Sequence, residues 1–94
     1  MITSMLSLQD SCIQILMTCY TRMLQKKAKE IDMGKIQKVR TLLLNLATLP
    51  EVSIARMKQQ NELIGLLMVL CAPYLSGEER EKVNAFAQKL DKPV

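Results

Sequence analysis

The stretch from Leu63 to Leu75 reads Leu-Ile-Gly-Leu-Leu-Met-Val-Leu-Cys-Ala-Pro-Tyr-Leu, with no charge in it. A helix that is apolar on every side has to be covered on every side. In a chain of 94 residues that cover comes from the other segments or from another molecule. The run is thirteen residues long and is broken by Pro73. A bilayer requires about 20 residues, so no membrane span is expected. The first twenty residues lack a basic start, and Asp10 interrupts their apolar part, so no secretory signal is expected either. The expected location is cytoplasmic.

The rest of the chain has to supply the cover. Its length corresponds to one domain, here residues 1–94, with one modest core. Aromatic residues are too scarce (one Phe, two Tyr, no Trp) to build that core. Leu, Ile, Val and Met must do so, and the seven Met make it adaptable.

Helical periodicity appears four times, and no segment alternates with period two. The first helix is expected at about 6–30, with Ser7 and Asp10 at its start and a wide stripe through Leu8, Cys12, Ile15, Leu16, Cys19, Tyr20, Met23 and Leu24. The second is expected at about 33–47, opened by Asp32, with Ile36, Val39, Leu43 and Leu46 on one face. Thr48 and Glu51 have the spacing of a capping box, and Pro50 suits a first turn, so the third is expected at about 49–72. Pro73 ends it. Ser76 and Glu79 form a second capping box, opening a fourth helix at about 77–90 with the stripe Val83, Phe86, Ala87 and Leu90. The predicted fold is all-α, a small antiparallel four-helix bundle.

The residues for chemistry are mostly missing. There is no histidine, the commonest general base and metal ligand. No two of the three cysteines have metal-ligand spacing, and no glycine-rich phosphate loop is present. Cys12, Cys19 and Cys71 lie on apolar faces, where a thiol is harder to ionise. Cys12 and Cys19, seven apart on one helix, are too distant to bridge. No enzyme activity, cofactor or metal is expected.

What remains is binding. Positive charge gathers at Arg22, Lys26, Lys27, Lys29, Lys35, Lys38 and Arg40, against only Glu30 and Asp32. Three of the four helices carry more apolar surface than one packing face uses. The leading expectation is therefore a protein–protein interaction module: an adaptor, a chaperone-like protein or an inhibitory regulator. Its contacts would be Leu42, Leu44, Leu66, Met68, Val69 and Tyr74. Lys26, Lys27, Lys29, Lys35 and Lys38 would guide an acidic partner, and a homodimer is the other occupant considered.

The alternative is a small nucleic-acid-binding regulator. Residues 46–60 resemble a degenerate helix-turn-helix, with Ser53, Arg56, Lys58, Gln59 and Gln60 suited to base edges and phosphates. Glu51 stands in the turn where that motif has glycine.

Overall fold

The computed structural model describes residues 2–26 and 33–91. They form four helices: α1 (Ile2–Gln25), α2 (Met33–Thr48), α3 (Ile54–Cys71) and α4 (Gly77–Asp91). A short 3-10 turn, Ala72–Tyr74, follows α3. No strand occurs among the described residues, and the expected all-α four-helix bundle is what the chain forms. No helix in them is long and apolar enough to cross a membrane.

The packing is a row. α1 lies against α3 and α4, and α3 lies against α2, giving the order α4–α1–α3–α2. The molecule measures 40 × 29 × 17 Å. α2, at one end of the row, has α3 as its only substantial neighbour among the described helices.

The core runs along the α1–α3 seam. Cys12, Leu16 and Cys19 of α1 are fully buried, as are Leu63, Leu67 and Cys71 of α3, with Val39 of α2 joining them. Met23 and Val83 are almost fully buried and belong to the same cluster. Leu63–Cys71 is therefore central, as its composition demands, yet it is not enclosed on every side. Leu63, Ile64, Leu67, Leu70 and Cys71 are buried, Leu66 and Met68 are half-buried, and Gly65 and Val69 face outward. Two faces are covered by α1 and α2, and a strip remains open.

Three expected boundaries move. α1 begins at Ile2, so Ser7 is inside the helix and its carbonyl accepts from the Ser11 hydroxyl. α1 ends at Gln25 rather than near residue 30; the expected start signal at Asp32 lies outside the described residues. α3 begins at Ile54, five residues later than the Thr48–Glu51 spacing implied. Thr48 is still in α2 and its hydroxyl donates back to the Asn45 carbonyl. Pro50 biases Leu49 away from helix, and the first suitable cap beyond it is Ser53. Ser53 is extended (φ −159°, ψ 156°) and its Oγ accepts from the Arg56 amide at 3.1 Å. The second expected capping box does form. The Ser76 amide donates to Glu79 Oε1 (3.1 Å), and the Glu79 amide donates to Ser76 Oγ (3.2 Å).

Candidate protein-binding surface

α2 has one apolar face and one mixed face. Ile36, Val39 and Leu46 are buried, and half-buried Leu42 packs against the core. On the opposite side Met33, Gln37, Arg40 and Leu44 follow at steps of four, three and four, one continuous outward strip. Met33 is 66% exposed and Leu44 71%, the two most exposed large apolar side chains described. Leu43 borders the strip at 36%. Gln37, Arg40, Thr41, Leu43 and Leu44 together line a shallow, open concavity of about 560 Å³.

The electrostatics of this face are one-sided. Between Met33 and Thr48 there are three cations, Lys35, Lys38 and Arg40, and no Asp or Glu. Lys38 and Arg40 are exposed, and neither meets a carboxylate among the described residues, where the ion pairs are Arg22–Glu79 and Lys82–Glu78. Arg40 also lies close enough to the Tyr20 phenol to pull its pKa down, against the larger upward push of burial.

The other expected contact residues divide into two places. Leu66, Met68 and Val69 belong to α3, where Lys58, Glu62, Gly65 and Val69 form the exposed strip and Val69 is 59% exposed. Tyr74 sits after α3, in a cleft of about 300 Å³ that it shares with Arg22, Met23 and Lys26 at the end of α1. Lys27 and Lys29 lie outside the described residues. Lys35 is half-buried and Lys38 exposed on α2. The expected residues are thus spread over the surface, and α2 carries the two most exposed apolar side chains beside exposed Lys38 and Arg40, which meet no carboxylate among the described residues.

The helix-turn-helix residues are largely engaged within the fold. Arg56 donates from Nη2 to the carbonyls of Leu46 (2.6 Å) and Leu49 (3.0 Å), and from Nε to that of Pro50 (2.8 Å). Gln60 is 4% exposed, and its Nε2 donates to Asp10 Oδ1 (2.9 Å). Gln59 is half-buried with an enclosed carbonyl oxygen, and only Lys58 of the four is exposed. These side chains do not share one exposed face: Arg56 closes a helix end and Gln60 is buried.

Sequence reasoning missed the polar seam between α1 and α3. Gln9 is fully buried, and its Nε2 donates to the Met57 carbonyl (3.0 Å) and to Asn61 Oδ1 (2.7 Å). A signal was present. Gln9 falls on the stripe Leu6, Cys12, Leu16, Cys19, Met23, and Gln60 on the stripe Leu63, Leu67, Leu70. A glutamine on an apolar stripe marks a buried polar crosslink.

The three thiols are buried and unpaired. Cys19 donates to the Cys71 carbonyl (3.9 Å), and Cys71 donates to the Leu16 carbonyl (3.7 Å). Burial raises the Cys12 pKa, and burial followed by neighbouring Cys19 pushes that of Cys71 up to about 12. Both groups stay protonated and poorly nucleophilic at neutral pH. Among the described residues no cluster of Cys, Asp or Glu is placed to hold a metal ion.

No protein-family model, curated protein sequence or solved structure shows detectable similarity to this chain.

Proposed function

We propose that this chain is a non-enzymatic protein–protein interaction module, acting as an adaptor, chaperone-like protein or inhibitory regulator in the cytoplasm. The observation that carries the reading is Leu44, 71% exposed in the C-terminal half of a helix whose other face alone is packed. Apolar exposure grouped along one helix, rather than scattered singly, marks a surface that another protein covers. Leu43 and Met33 extend the group. Half-buried Leu42 anchors α2 to α3 and supports the surface from behind. The non-enzymatic part rests on a sequence without histidine and on Cys12 and Cys71 thiols that burial keeps protonated. Buried, unpaired thiols also accord with a reducing compartment.

The test is affinity capture from an extract of the native host, comparing the natural chain with a Leu43→Ser, Leu44→Ser double variant of unchanged circular dichroism. At least one protein should be retained by the natural chain and lost from the variant. Identical captured sets would refute the reading.

A further inference from the structure

Resting on that reading, we infer that the partner presents an acidic amphipathic helix, laid along the outer strip of α2. The geometry sets its pattern. Met33 and Leu44 are eleven residues apart, about 16 Å along the axis at 1.5 Å per residue, or three turns. Between them stand Gln37 and Arg40, with Lys38 on the flank. A helix lying alongside needs an apolar residue at each end of an eleven-residue interval, to cover Met33 and Leu44. It needs a carboxylate in the middle turn, to meet Arg40. Positions eleven apart return to the same face of a helix, the face that i, i+4 and i+7 anchors share when a helix is seated on a helix or in a groove.

Charge complementarity selects this occupant over a second copy. α2 has no acidic residue. In a two-fold antiparallel pairing of α2 with itself, Arg40 and its mate would stand three residues apart, about 4.5 Å along the axis. Exposed Lys38 would add to the repulsion. Like charges facing each other across an interface disfavour that pairing. The apolar ends argue against nucleic acid: Met33 and Leu44 would find no counterpart on a phosphate backbone, which rewards cations. A heterologous helix with both Leu-type anchors and Asp or Glu satisfies all four positions.

The experiment uses the full chain and two fluorescent sixteen-residue helical peptides. Both carry Leu at the ends of an eleven-residue interval; one has Glu in the turns between, the other Lys. The Glu peptide should bind at least tenfold more tightly than the Lys peptide, and its affinity should fall as salt rises. Arg40→Glu should invert that preference, Arg40→Gln should abolish it, and Leu44→Ser should weaken both peptides. Equal affinity for the two peptides would overturn the inference. So would a dimer in light scattering that Leu44→Ser dissociates, or duplex DNA binding unaffected by Leu44→Ser. If neither peptide binds while host-protein capture still depends on Leu43 and Leu44, the partner class is wrong and the docking reading stands. If capture does not depend on them, the docking reading itself is wrong.

Discussion

The Arg56 guanidinium donates to the Leu46 carbonyl at 2.6 Å, reaching from the first turn of α3 back to the last turn of α2. The same side chain also holds the carbonyls of Leu49 and Pro50, so one charged group ties the last turn of α2 and the loop after it to the start of α3. Arg80 repeats the device one helix later, donating from the first turn of α4 to the Ala72 carbonyl at 2.6 Å. A cation is also favoured at a helix C-terminus by the dipole. Arg56 thereby secures the helix that carries the proposed docking strip.

Replacing Arg56 by Gln should therefore destabilise the fold, by about 2 kcal/mol for the charge-assisted hydrogen bonds lost. Urea unfolding would measure it as a lower midpoint at unchanged slope. A stability indistinguishable from the natural chain would show that the three contacts are incidental.

Val69 and Leu67 lie two residues apart on α3 and should respond oppositely to charge. Val69 is 59% exposed, so Val69→Glu should leave a folded chain with stability changed by no more than about 0.5 kcal/mol. Leu67 is fully buried, and Leu67→Glu should abolish cooperative unfolding, since an unpaired carboxylate would be placed in the core. Thermal unfolding of the two variants checks both outcomes. Collapse of Val69→Glu would mean that the α3 strip is core.

Gln9 should behave as a core residue despite its polarity. Gln9→Ala removes the donor to Met57 and Asn61 and opens a space at the α1–α3 seam. The expected cost is about 1–2 kcal/mol, from the two hydrogen bonds and the packing lost, offset in part by removal of the buried Gln9 Oε1, which has no partner. Chemical denaturation reads it directly, and a loss under about 0.5 kcal/mol would place Gln9 at the surface.

The thiols predict a pH profile. Cys71 is pushed from its ordinary 9.0 up to about 12, and Cys12 is also raised. A folded pKa above the unfolded one gives stability that is fully present below about pH 9 and is lost as pH rises through the folded value. Glu79 works in the opposite direction. Hydrogen bonds from Ser76, then Arg22, hold its carboxyl below 4.5, so its contribution is present above that pH and lost on acidification. Unfolding free energy measured from pH 3 to 11 should be flat in the middle and fall at both ends. A thiol reagent at pH 8 should modify the native chain far more slowly than the unfolded one. Rapid native labelling would contradict the burial of these cysteines.

The helices were legible because their packing faces repeat at helical spacing, and Ser76–Glu79 and Pro73 act through neighbours in the chain. The start of α3 was not legible. Thr48 and Ser53 are both competent caps, and the choice between them depends on where Arg56 folds back, which is a tertiary contact. The same contact occupies Arg56, although its residue type and place in the chain suited a phosphate. The enclosure of Leu63–Cys71 was overestimated because composition reports how much surface wants burial, whereas the row α4–α1–α3–α2 determines how much receives it. Leu44 was legible as surplus apolar surface. That it shares an outward strip with Met33 and Arg40 follows once Ile36, Val39 and Leu46 are known to face α3.

The most direct test of the docking face on α2 is site-specific photocrosslinking in the native host. A photoreactive phenylalanine analogue would be placed at Leu44 in one chain and at exposed Gln88 on α4 in another. Position 44 should give a discrete crosslinked protein partner, competed by the unmodified chain, and position 88 should give none. Equal crosslinking at both positions, or none at 44, would contradict the assignment of α2 as the binding surface.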